Sequence, residues 1–508
     1  MSTIDIRRAA QYATVAENAA AQCVIVADNL QDNVEGLTGQ AAAAAQQAVA
    51  SQNAAKASET AAKSSETSAS ASSASAAQSA AEAASSAAAT GYVAPPFPDV
   101  WAPLSDDLKM ISGYPVNTKL LSFTRASTAT YIDKSGVLQA AAINEPRFEN
   151  QGLLIEGAST NFFLNSSDPS KWGNSALLSK TQQPDGLTQA TTGVFTASSD
   201  ISNAANIITN TANPVALSAG GKLSGSCNAK SSYGRLRFRV QRASGEEVGN
   251  CVVDLTTGQL TPASNIALVA TLKSDGYYHV EATFTAADAD NYVVQFRYIP
   301  ASGSSVIPQG SVIYVQMPQL EVGGVSSYIP STDSAVTRAS DDCTLQRSGN
   351  DNYFGPVTIA AEVHCNGQTA TDGASSSRRG ILAAYPTTND NIILMVDSSA
   401  STAGKYAFAY GSAAFNYSDN RIDDGQTHTV CSRSTTLQNQ SCVDGTLLTS
   451  PTPVSRPTPG TTSSVNQLFY IGRGAGATAS GSRMLNGHIR NLRIWHRSLS
   501  DIQMKGIR

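Results

Sequence analysis

The chain has no CxxC pair, no run of about 18 apolar residues and no proline before Pro95. Each gap removes a class of protein. The seven cysteines, Cys23, Cys227, Cys251, Cys343, Cys365, Cys431 and Cys442, are odd in number and widely spaced, which argues against a disulfide scaffold and against a zinc site. Cys431 and Cys442 flank a turn near Leu437, where a hairpin would set their Cβ atoms about 5 Å apart. A product of the cytoplasm would keep them as reduced, packed thiols. The opening MSTIDIRRAA lacks the apolar core of a signal peptide, so cytoplasmic synthesis of a soluble chain is expected, without membrane insertion. Charge is scarce as well: 14% of residues are charged and the formal net charge is -5. No basic field is available to attract nucleic acid or an anionic membrane.

Local signatures of chemistry are equally thin. Neither GxSxG nor HxxxH occurs, the five histidines are scattered, and the Gly-rich strings SAGGKLS and GRGAGA miss the spacing of a phosphate loop. Glu246/Glu247, Asp341/Asp342 and Asp423/Asp424 are adjacent acids, which on a strand point to opposite faces and cannot flank one glycosidic bond. They read as solvated turn charges. The residues therefore predict no enzyme, no catalytic set and no cofactor, and they identify no metal ligands.

What is present first is a period of seven. Residues 1–92 are rich in Ala, Ser and Gln, and AAKASET AAKSSET repeats from Ala54. With a at Ala55, the a positions run from Ile6 through Val34 to Ala83 and the d positions from Ala9 through Leu30 and Leu37 to Ser86, without a stutter. A coiled coil of roughly 120 Å follows from the 1.5 Å rise. Composition alone would also allow a disordered linker, which has no reason to hold that phase. Gly36 and Gly39 each cost about 1 kcal/mol of helix beside the apolar knobs, so residues 1–40 are expected to form an N-terminal helical attachment region and 41–92 the stalk. An Ala/Ser seam does not decide between two strands and three.

VAPPFPDVWAP (Val93 to Pro103) ends the helix, because proline cannot donate to the helical ladder. Beyond it RLRFRVQ, YYHVEATF, YVVQFRYI and VIYVQMPQLEV alternate apolar with polar residues between Gly and Asp turns, as half-buried antiparallel strands do. The predicted fold is a long N-terminal α-helical coiled coil followed by all-β tandem sandwiches. Its expected parts are a linker and small β segment at 93–165 with a turn at Lys134, Ser135 and Gly136, a jelly roll at 166–335, and a second β-sandwich at 336–508.

FTRASTATYIDKSG followed by GLLIEGASTNFFLNS resembles a segment of many phage tail-fibre and minor tail proteins. PDGLTQA, DLTTGQL, DGYYHVEATF and MPQLEVGGVSSYIPST are similar in order to the carbohydrate-binding-module-like jelly rolls of phage fibres. DDGQTHTVCSR, SCVDGTLL, FYIGRG and LNGHIRNLRIWHRSLSDIQM resemble the laminin-G or concanavalin-A-like fold, with a terminal helix from Ser500. The heptads look like those of phage side tail fibres. These resemblances imply a homotrimeric tail fibre in the virion, joined through its N-terminus to a tail or baseplate protein. They also imply that its C-terminal modules contact bacterial surface polysaccharide or an outer-membrane receptor. Alternatives are a tailspike-like depolymerase or esterase with a site between subunits, and a connector fibre carrying another receptor-binding protein.

One cluster invites recognition. Tyr406, Phe408 and Tyr410 share a strand face, and Asn416, Tyr417, Asp419, Asn420 and Arg421 follow in an expected loop. Aromatic faces beside amides and a carboxylate suit a glycan, so Tyr410, Asn416, Tyr417, Asp419, Asn420 and Arg421 are the candidate binding residues. A same-parity aromatic trio is also what a sandwich core supplies, and Trp172 and Trp495 are expected to be packed.

Overall fold

The computed structural model describes residues 3–90, 93–115, 117, 119–208, 214–263, 265–352, 355–366, 379–384, 392–397, 401–410, 415–449, 451–453, 468–474 and 483–507, with helix side chains as far as residue 82. The chain divides into two compact units, residues 1–92 and 93–508.

The first unit is one α-helix, Thr3–Thr90. Gly36 and Gly39 do not interrupt it, so residues 1–40 and 41–92 are not separate elements. Its backbone bonds are internal, and short polar side chains add to them: Thr38 Oγ1 donates to Val34 O at 2.7 Å, and Gln31 and Gln78 donate to Glu35 and Glu82 one turn on. Every described side chain of the helix is exposed, Leu30 and Leu37 at 64% and 65%.

The second unit holds two antiparallel sandwiches. In the first, the sheet containing Lys222–Ser231, Tyr278–Thr285 and Val312–Val322 faces the sheet containing Arg235–Arg242, Glu247–Asp254 and Asp290–Ile299. Alternation places the side chains: Leu236, Phe238 and Val240 enter the core while Arg235, Arg237 and Arg239 lean outward. Phe238 packs on Phe296 with ring centroids 4.4 Å apart. Trp172 is buried in the same core, its Nε1 donating to Asn165 O at 2.7 Å.

The second sandwich corrects the expected boundary at 165. Residues 93–165 do not stand apart, because their strands complete the C-terminal sheets. Val100–Ala102 and Gly152–Ile155 pair with Gly487–Trp495, and Ser122–Thr124 pairs with Asp342–Gln346. Val100, Leu121, Phe123, Leu153 and Ile155 share a core with Ile359, Leu382, Phe408 and Ile494. The jelly roll is therefore an insertion within a discontinuous sandwich. Its neck is a two-stranded antiparallel ladder in which Ser159–Asn161 leaves and Val336–Arg338 returns.

Buried charge fastens the two halves. The string Thr-Arg-Ala-Ser occurs at 124–127 and again at 337–340, and both arginines are buried. Arg125 Nη1 reaches Asp341 at 3.1 Å, while Arg147 reaches Asp341 at 2.6 Å and Glu156 at 2.8 Å. Arg338 lies 3.4 Å from Glu156. Burial raises the Glu156 carboxyl, yet Arg338, Arg147 and the Ser327 hydrogen bonds outweigh it and hold the group down at about 2. Asp341 is thus no solvated turn charge, and neither is Asp423, which is buried against Arg379 at 2.7 Å.

Four smaller expectations are met. Asp133 accepts from Ser135 N and Val137 N in the turn that Gly136 completes at φ 90°. Cys431 and Cys442 stand opposite each other as free, buried thiols. Ser500 caps the terminal helix Asp501–Lys505, with Gln503 returning the bond to its backbone. Trp495 is buried, and its Nε1 donates to Pro96 O at 2.6 Å.

A candidate cleft between the two sandwiches

A strand with both faces apolar must be covered twice, whereas a polar outer face is free to line a site. The jelly-roll strand Tyr278–Thr285 has Tyr278, Val280, Ala282 and Phe284 in the core, so His279 and Glu281 emerge together on the other side. The ladder extends this polar face. Ser226 lies opposite both Glu281 and Gln319, and Asn228 lies opposite both His279 and Gln316. His279 Nδ1 meets Asn228 Oδ1 at 2.8 Å, and its Nε2 meets Glu281 Oε1 at 3.1 Å.

This face forms one wall of a cleft of about 430 Å³. The facing wall comes from the other sandwich: Tyr131, Ile132 and Leu138 of the small hairpin, Glu149 and Glu156, then His364, Asn486 and His488. His488 Nε2 donates to Glu149 Oε2 at 2.9 Å, and Glu149 Oε1 accepts from Ile132 N at 2.8 Å. His364 and His488 meet edge to face, 5.6 Å between centroids. Burial, then the neighbouring His488, lowers the His364 pKa, so this ring is held neutral. His488 Nδ1 is buried and has no partner among the described residues. Among the described residues no group of three or more His, Cys, Asp or Glu is placed to hold a metal ion.

The sequence-derived cluster is placed differently. Tyr406, Phe408 and Tyr410 are fully buried in the second core, so Tyr410 is a packing residue and offers no face to a ligand. Asn416–Arg421 is a strand paired with Lys405–Tyr410, and it replaces the expected loop, because Asn416 and Ser418 alternate inward. Asn416 is buried, Tyr417 is half-buried, and Asp419, Asn420 and Arg421 are exposed. Arg421 pairs with Asp423 at 2.9 Å. The cleft was missed because its histidines are 85 to 209 positions apart in the chain; its one local signal was His279 and Glu281 sharing a strand face.

No curated protein matches the chain. Among solved structures, a Trypanosoma rangeli sialidase mutant displaying trans-sialidase activity aligns at 20% identity and TM-score 0.23, covering 30% of this chain and 22% of that one. The Ruminococcus gnavus IT-sialidase CBM40 aligns at 12% identity and TM-score 0.22, covering 30% and 83%. Mouse laminin alpha1 chain domains LG4-5 align at 14% identity and TM-score 0.20, covering 65% and 95%. The chain thus spans about a fifth of the first of these structures. Residues 337–504, most of the sequence-continuous half of the second sandwich, match the concanavalin A-like lectin/glucanases superfamily.

Proposed function

We propose that the chain is a non-enzymatic, homotrimeric tail fibre of a tailed bacteriophage, carried in the virion and binding host-surface glycan through its sandwiches. The helix carries this reading. The 88-residue helix holds an unbroken heptad phase from Ile6 to Ser86, yet every described side chain is exposed within the single chain, so copies of itself would complete its seam. Small Ala and Ser knobs bury little, at about 0.8 kcal/mol per CH₂, which assigns much of the association to the β-rich half. The concanavalin A-like match and the resemblance of residues 166–335 to carbohydrate-binding modules support glycan as the receptor. The N-terminal part of the helix would join a tail or baseplate protein, and Tyr417, Asp419, Asn420 and Arg421 give the second sandwich a polar surface for contact.

Light scattering tests the assembly. A trimer gives 3 × 52.7 = 158 kDa, and a mass of 52.7 kDa at micromolar concentration would refute it. The same purified protein, incubated with polysaccharide from cells that it adsorbs to, should release no new reducing ends; release would make it a depolymerase.

A further inference from the structure

The cleft between the sandwiches has the size of a small-ligand site, for which about 300–1,000 Å³ is usual, and it lies where two domains meet. Its chemistry is one-sided. Glu149, Glu281 and Asp275 line it together with a single cationic side chain, Lys273, and no arginine is among its described lining residues. Glu156 also lines it, but Arg147 and Arg338 already neutralise that carboxylate from behind.

The remaining acceptors are not all consumed. Glu281 Oε1 meets His279, which leaves Oε2 without a partner among the described residues. His488 Nε2 is turned to Glu149, and its Nδ1 is likewise without a partner among the described residues. Asp275 is engaged by Leu187 N and Tyr277 N. An open carboxylate oxygen and an unpartnered ring nitrogen therefore belong to opposite walls, one from each sandwich. An acidic sugar would bring further acceptors and a negative charge, and it would find no guanidinium to chelate its carboxylate. A protonated amine brings donors and the opposite charge. Tyr131 and Leu138 add apolar surface on the hairpin wall for the carbon face of a ring.

We propose that this cleft binds a glycan segment bearing a free amino group, held between Glu281 of the jelly roll and the Glu149–His488 pair of the second sandwich. The inference rests on the glycan-binding reading above and narrows it to a sugar class and a location. An amine gripped from both walls would also fix the two sandwiches relative to each other.

Calorimetric titration of the full chain with three probes decides it: a glucosamine tetrasaccharide, its fully N-acetylated counterpart and a tetragalacturonate. The amine form should bind at least about tenfold tighter than the acetylated form, the scale of one charge-assisted hydrogen bond. Glu281→Gln should abolish that preference with an unchanged melting temperature, since Glu281 supports no core residue. Glu149→Gln, which keeps an acceptor for Ile132 N, provides the second variant. Equal or tighter binding of the acetylated or acidic probe, binding of none of the three, or a preference that survives both substitutions would overturn the assignment. Cell adsorption separates the two levels: adsorption with no amine preference removes the cleft and leaves the fibre, whereas failure to adsorb to any bacterium counts against the fibre itself.

Discussion

The helix and the sandwiches treat leucine in opposite ways. Leu30 and Leu37 of the helix are 64% and 65% exposed, while Leu236 and Leu382 of the two sandwiches are completely buried. A helix satisfies its own backbone within four residues, so it forms whether or not its side chains find cover. A strand leaves every backbone group to a neighbour, and those neighbours here come from far along the chain. Val100–Ala102 pairs with residues almost 400 positions away. The helix thus leaves its apolar residues exposed within the single chain, whereas the sandwiches hold their cores within one chain.

The largest expected effect attacks what only the sandwiches possess. Arg147→Ala leaves the buried Glu156 and Asp341 carboxylates short of their cation, and breaking such a set costs about 3–5 kcal/mol. Thermal unfolding of residues 93–508 should drop by many degrees; a change of only a degree or two would mean that the network is incidental to the fold.

Next comes the contrast between two tyrosines on paired strands, Tyr410 at the end of Lys405–Tyr410 and Tyr417 in Asn416–Arg421. Tyr410→Ala empties a core site and should cost about 3 kcal/mol or more, and Tyr417→Ala, at a half-buried position, about 1 kcal/mol. Denaturant titration of both variants checks the order. If Tyr410→Ala unfolds no more easily than Tyr417→Ala, the burial of that ring is wrong.

Acid gives a smaller, graded effect. Folding depresses the Glu156 carboxyl to about 2, below its ordinary value of about 4.3, so its stabilisation is fully present above that ordinary value. The contribution fades as the pH falls and is lost on passing through about 2. Wild type should therefore lose stability more steeply than Glu156→Gln between about pH 4 and pH 2. Parallel acid curves for the two proteins would show that Glu156 does not act this way.

The smallest effect is expected from the largest deletion. Removing residues 1–92 takes away a unit that contributes no residue to either core, and the melting transition of the sandwiches should stay within about 0.5 kcal/mol of the full chain. Light scattering on the same truncation reads the assembly: a trimer places association in the β-rich half, and a monomer places it in the helix.

Some of this was legible from residues alone because the signal was local. The helix announced itself by a period of seven, its end by Pro95 and Pro96, the strands by alternation, and the terminal helix by its start at Ser500. Each depends on neighbours within a few positions. The same alternation explains why Tyr406, Phe408 and Tyr410 share one face, but a period of two does not say whether that face is core or surface. Asn416–Arg421 read as a loop since Asn and Asp are poor strand formers; pairing with Lys405–Tyr410 overrode that preference.

What the sequence determined by itself is the class of each segment: one heptad helix, then alternating strands with polar outer faces. Only the tertiary structure decided which strands belong together, that residues 93–165 complete a sandwich begun almost 400 positions from its end, and that Asp341 is buried while Asp342 is not. It alone also brought His279, His364 and His488 around one cleft. The physical reason is that periodicity arises from bonds between near neighbours, whereas sheet order and burial arise from contacts whose partners lie at any distance along the chain, and no local pattern names those partners.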